Sequence, residues 1–120
     1  MTNPTKVTWT DPTTNVDGSP IAAGEITAYE IGIRDTTAAG SVAGTYPWSV
    51  KAPPSATTEL LSLISSTLPT GVLLATAVRA DTGGLDGNGN PVNSAWTAEQ
   101  TFTLAAPAPI PNPPTGFSVA

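Results

Sequence analysis

The chain reads as an all-β protein with a proline-rich C-terminal arm, and three observations predict it. Apolar residues alternate with polar ones at a period of two in several short runs, dense turn clusters separate those runs, and proline accumulates after residue 104. With 120 residues the chain is long enough for one two-layer core and a tail. The expected division is a β domain over residues 1–104 and an arm over 105–120.

The first strand is expected over Lys6 to Thr10, with Val7 and Trp9 on one side. Asp11-Pro12 ends it, because proline cannot continue a ladder and restricts the residue before it. Thr13 to Gly24 is rich in turn formers, among them Asn15, Asp17-Gly18 and Ser19-Pro20, and reads as a long connection. Ile26 to Arg34 is the clearest strand, with Tyr29, Ile31 and Ile33 facing the core and Glu30, Gly32 and Arg34 facing away. Thr45 to Ala52 is a further strand. Its Pro47 lacks an N–H and therefore belongs at a sheet edge.

Thr57 to Ile64 fits a strand or a short helix, and the β context favours a strand. Leu73 to Ala80 alternates again, with Leu74, Thr76, Val78 and Ala80 on one face and Leu73, Ala75, Ala77 and Arg79 on the other. That second face is unusually apolar for solvent. Asp81 to Asn93 reads as a turn-rich stretch, and Ser94 to Leu104 as the last strand, with Phe102 and Leu104 inward.

Composition narrows the function classes. Only 11% of residues are charged, against about 25% in ordinary soluble domains, so Thr, Ser, Asn, Ala and Gly must cover much of the surface. A net charge of −5, with Lys6, Arg34, Lys51 and Arg79 scattered, disfavours nucleic acid as a partner. Without cysteine there is neither a disulfide framework nor a thiolate nucleophile. No window approaches the roughly 20 apolar residues of a membrane span, and the first residues lack the form of a secretory signal, so synthesis in a cytoplasm is expected.

Without histidine or cysteine, acid–base or nucleophilic work would fall to carboxylates and hydroxyls, so no enzyme is expected. Asp86-Gly87-Asn88-Gly89-Asn90 places oxygen donors at alternate positions, as Ca2+ loops do, and Asp17 is a further candidate ligand. Pro91 stands where a helix-loop-helix calcium site has glycine, and no glutamate follows at the right distance, so an ordinary turn is the stronger reading. Trp9 is assigned to the core, Trp96 to the cover of one pole, and Trp48 to an edge strand, where it is the most exposed of the three and packing is favoured slightly over binding.

The runs Val7-Thr8-Trp9-Thr10-Asp11-Pro12, Gly18-Ser19-Pro20-Ile21, Ile26-Thr27-Ala28-Tyr29-Glu30-Ile31, Ala75-Thr76-Ala77-Val78-Arg79-Ala80 and Ser94-Ala95-Trp96-Thr97 together resemble a fibronectin type III domain. The resemblance covers most of residues 6–104. It implies an immunoglobulin-like, seven-strand sandwich of two antiparallel sheets. Two departures stand out. Leu74 occupies the place of the family's tyrosine early in the sixth strand, and the first strand, introduced in the family by Pro-Pro, has no counterpart before Lys6 beyond Met1 to Thr5.

That missing pattern recurs at the other end, as Pro113-Pro114-Thr115-Gly116-Phe117-Ser118-Val119-Ala120. Three readings of it stand open. It is a remnant linker, or it returns to the domain's own first edge, since ten polyproline-like residues span about 30 Å, or it is donated to a neighbouring copy or another protein. Return and donation are favoured together, with Phe117 and Val119 as anchors.

A stand-alone domain of this kind, with a mild surface and a strand-like tail, looks like a bacteriophage virion protein. The expected function is capsid decoration or a tail accessory role, localised to the virion, with copies of itself or a coat or tail protein as partners. Leu73, Ala75, Ala77 and Trp48 are expected to form part of the contact surface. The alternative is an adhesion or carbohydrate-associated module of a bacterial extracellular protein.

Overall fold

The computed structural model describes residues 3–106 and 109–119. Its elements in chain order are β1 (Lys6–Thr8), β2 (Ala28–Asp35), β3 (Trp48–Ala52), β4 (Thr58–Leu60), α1 (Leu61–Ile64), β5 (Leu73–Leu85), β6 (Pro91–Asn93) and β7 (Gln100–Thr103). The protein is all-β apart from one helical turn, and every strand pairing is antiparallel.

Alternation along β2 builds the centre. Tyr29, Ile31 and Ile33 are 3%, 0% and 0% exposed, as the period of two requires. β3 and β5 flank β2, with Val50 and Val78 both opposite Ile31. β3 is an edge strand, and Pro47 lies immediately before it. β5 extends the sheet on its far side, pairing with β7 along Leu73 to Thr76 and with β6 near Asp81 and Leu85.

β5 therefore continues five residues beyond Ala80, into a stretch that reads as turns in the sequence. A register shift between Asp81 and Leu85 accommodates Gly83 and Gly84, and the Asp81 carboxylate accepts the Gly83 N–H at 2.8 Å. The reversal itself is confined to the residues around Asp86, whose N–H donates to the Asn90 carbonyl.

β1 and β4 form a second, two-stranded sheet with Val7 opposite Glu59. The ambiguous stretch 57–64 is divided: β4 ends at Leu60 and α1 begins at once. The division follows from burial. Leu61 and Ile64, three apart, share one face of the turn and are buried, whereas Leu63 is exposed. A continuous strand would have placed Leu61 and Leu63 on the same side.

Val7 and Trp9 pack against a core of Tyr29, Ile31, Ile33, Ala52, Leu61, Ile64, Leu74 and Ala80, closed from other sides by Trp48, Phe102 and Leu104. The Trp9 and Tyr29 rings lie 5.4 Å apart at 51°. Trp48 pairs across the ladder with Ile33 and packs on its core-facing side, half-buried, so the packing reading of this residue is the one the structure matches.

The second face of β5 differs from its expected role. Ala75 and Ala77 are 0% and 4% exposed, which leaves only Leu73 open on that side. Ala77 stands opposite Gly32, and the Tyr46 side chain lies directly over Gly32. A Cβ added at Gly32 would meet the Tyr46 ring, and would sit 2.6 Å from the Tyr46 Cβ. Gly32 is therefore fixed by close approach.

Gly32→Ala should lower stability by about 1–3 kcal/mol, read as a fall in the urea midpoint. Ile31→Ala, which empties one of the fully buried positions of the core, should lower it by about 2–5 kcal/mol.

Candidate functional site

Backbone hydrogen bonds decide which sheet edges are open. β4 holds β1 through the Leu61 N–H donating to the Thr5 carbonyl and the Trp9 N–H donating to the Thr57 carbonyl, each at 2.9 Å. Bonded positions alternate in an antiparallel ladder, so Val7 also faces β4, and its carbonyl accepts the Thr58 hydroxyl at 3.0 Å. The N–H and C=O of Lys6 and Thr8 consequently point the other way. Among the described residues no strand pairs with β1 on that side.

The wall facing this open edge is the segment leading into β7. Its approach to β5 is irregular. Ser94 and Thr97 donate their N–H groups to the carbonyls of Ala80 and Val78, but the N–H groups of Val78 and Ala80 are taken by the hydroxyls of Thr97 and Ser94, at 3.1 and 2.8 Å. Side-chain oxygens stand in for the carbonyls that a regular strand would present. This is why the last strand, expected from Ser94, begins only at Gln100.

Between the two walls runs a cleft of about 270 Å³, bounded by Pro4, Val7, Trp9, Thr97 and Phe102, with Ile31 on its floor. It continues into a second hollow of about 400 Å³ that shares Thr8, Trp9 and Thr97 and reaches Tyr29 and Ser94. None of the described side chains lining either hollow is a carboxylate. The indole Nε1 of Trp9 is buried without a hydrogen-bond partner, an arrangement that carries a desolvation penalty. Beneath it, burial and then the neighbouring Asp11 carboxylate push the Tyr29 hydroxyl up to about 12.

The opposite face of the larger sheet is closed by its own side chains. Tyr46 and Trp96 meet edge to face at 4.7 Å, and the Arg79 guanidinium lies 4.5 Å from the Trp96 ring centre. Glu99 accepts two hydrogen bonds from Arg34, at 2.7 and 2.8 Å, and one from the Tyr46 hydroxyl at 2.8 Å. Arg79 pairs with Glu30 and Lys51 with Asp81. This lid buries Ala75 and Ala77 and removes them from any contact surface. Sequence reasoning places Trp96 as a cover but misses Tyr46, Arg34 and Glu99, whose partners lie 53 and 65 positions apart.

Arg34 holds the Glu99 carboxyl below its ordinary value, with help from the Tyr46 hydroxyl, and Lys51 does the same for Asp81. Every charge in the lid is therefore paired, and the cluster presents no free base or nucleophile.

The calcium candidates are engaged in turns. Asp86 accepts the N–H groups of Asn88 and Asn90 at 2.8 and 3.0 Å, and Asp17 accepts the Ser19 N–H and hydroxyl at 2.9 and 2.6 Å. Among the described residues no three His, Cys, Asp or Glu side chains are grouped as a metal ion would require, and no helix is long and apolar enough to cross a membrane.

The arm stands away from all of this. Ile110, Phe117 and Val119 are 93%, 92% and 93% exposed. The described residues of the arm form no strand, and Phe117 and Val119 do not reach the chain's own β1. Ala120, the last residue of the expected tail strand, lies outside the described residues. A search of protein-family models, of characterised proteins and of solved structures finds no match to this chain.

The carboxylates of Glu99 and Asp81 set a pH dependence. Their folded-state values are depressed, so the stability they contribute is present above the ordinary carboxylate range and is lost as pH falls from that range through the depressed values. Urea midpoints measured from pH 7 to pH 3 should fall, and Glu99→Gln should lower the pH 7 value and flatten the slope. The raised Tyr29 hydroxyl acts oppositely, its contribution fading as pH climbs from 10 towards 12.

Proposed function

We propose that this chain is a non-enzymatic structural protein that takes its place in a larger particle by adding its C-terminal arm to an open sheet edge. The observation that carries the reading is the arm itself: two large apolar side chains, Phe117 and Val119, held almost wholly in solvent on a segment with no charge after Glu99. Exposed apolar anchors on an extended segment are the donor half of strand addition. An edge with unpaired backbone groups is the acceptor half, and β1 has one.

Magnitudes favour a repeating particle over a single contact. Burying Phe117 and Val119 contributes about 1.5–3 kcal/mol each, while ordering five or six residues costs about 1–2 kcal/mol per residue. Proline reduces that cost by restricting the free arm, but one arm on one edge remains weakly held. Many such contacts in a lattice add up by avidity.

The body fits a fibronectin type III-like sandwich, with Val7 and Trp9 of the small sheet lying on Tyr29 of the large one. A bacteriophage virion, as capsid decoration or tail accessory, is the setting we infer, by analogy with such domains on phage particles. The alanine face of β5 has no part in this attachment.

Isolated from its source, the protein should co-sediment with large particles. A Phe117→Asp/Val119→Asp variant should remain in the supernatant while unfolding at the same urea concentration, since both positions are solvent-exposed. Recovery as a free monomer, or as part of a longer secreted chain that binds glycans, would overturn the reading.

A further inference from the structure

We propose that the acceptor of the arm is the open edge of β1 in a second copy of this chain, and that the copies therefore join head to tail. The inference rests on the strand-addition reading above and adds the site, the partner and the polarity.

Stereochemistry on the two sides agrees. Val7 and Trp9 face the core, so the residues set opposite them on an added strand also face inward, and Phe117 and Val119 share that parity. Gly116 and Ser118 then fall opposite the outward-pointing N–H and C=O groups of Lys6 and Thr8. Both have an N–H to donate. Pro113 and Pro114, which cannot contribute a full set of bonds, precede the paired stretch. The arm beyond Ala105 has no charged side chain and neither hollow has a lining carboxylate; of the two cations on their walls, Lys6 is exposed and Arg79 is already paired with Glu30. A strand in the cleft also brings backbone carbonyls towards the region of the unpartnered Trp9 Nε1. Gly116, at φ +73°, must extend to pair, a change that glycine makes at little cost.

Polarity separates a second copy from the chain's own arm. The Ala105 N–H donates to Asn3 Oδ1 at 2.9 Å, so the arm departs beside the start of β1. Antiparallel addition, the more stable sense, requires a strand that enters at the Trp9 end and runs towards Pro4. The chain's own arm would have to reverse at Ala105 and pass the whole length of β1 first, against a proline at 107, 109 and 111. The structure instead extends: its principal dimensions are 77, 34 and 27 Å, and its radius of gyration is 19.9 Å, against about 13–14 Å for a compact chain of this length. An arm leaving one end and an edge entered from the other make a heterologous contact, which generates open chains or rings.

Sedimentation of the full chain over a range of concentrations tests this, alongside Thr8→Pro and Phe117→Asp/Val119→Asp. Thr8→Pro removes an N–H that points to the open edge and takes nothing from the β4 ladder. Its fold is checked by an unchanged urea midpoint, and the arm variant keeps the assay decisive should Thr8→Pro fail to fold. The wild-type chain should form a concentration-dependent series of oligomers, and each variant alone should be monomeric. Mixed together, the two variants should stop at dimers, because only one intact edge and one intact arm meet. In wild-type oligomers the amides of Lys6 and Thr8 should exchange about tenfold more slowly or better, with little change at Val7 and Trp9. A wild-type monomer at all concentrations overturns the proposal, and a monomer with protected Gly116 and Ser118 amides assigns the edge to the chain's own arm. Oligomers undiminished in folded Thr8→Pro place the arm on another surface. Particle association without self-association sinks this inference alone, moving the acceptor to a coat protein and leaving the structural role intact.

Discussion

A β-strand is complete only when both of its backbone edges are satisfied, and that requirement organises this molecule. β2 lies between β3 and β5, and β5 in turn between β2 and the pair β6 and β7. Where a regular neighbour fails, the hydroxyls of Ser94 and Thr97 fill in for missing carbonyls. β1, like the other edge strands, keeps one side bonded and the other open, and its open side borders the core cleft. The unfinished edge, the cleft behind it and the free arm become intelligible together from that one shortfall.

A second constraint is the cover on the far side of the large sheet. Small residues at Gly32, Ala75 and Ala77 leave a shallow trough, and Tyr46 drops into it from just before β3. Trp96 meets Tyr46 edge to face, and the guanidinium of Arg34 and the carboxylate of Glu99 lock the arrangement from above. Each group lacks purpose alone. Together they turn an apolar stripe into a closed surface, so the sheet faces are spent on the protein's own stability and intermolecular contact is left to an edge.

Much of this was legible in the chain. Tyr29, Ile31 and Ile33 declared their burial through period-two alternation, Pro47 marked an edge, and Phe102 and Leu104 pointed inward as expected. The failures have physical causes. The lid was invisible because Tyr46, Trp96 and Glu99 sit in irregular segments, where no periodicity assigns a side. The division of 57–64 escaped because Leu60, Leu61, Leu63 and Ile64 satisfy both periods at once. The extension of β5 was hidden by Gly83 and Gly84, which punctuate a sequence even when they serve as a bulge inside a strand. The arm was recognisable as strand-like from its alternation, but not where it pairs, since that depends on an edge that only three-dimensional bonding reveals.

The absence of charge along the arm has a consequence for the conditions under which it holds. Attachment through Phe117, Val119 and main-chain bonds offers nothing for dissolved ions to screen, so it should persist from dilute buffer to brine. Its driving force grows on warming and fades on cooling, which makes chilling, rather than salt, the natural solvent of such a joint.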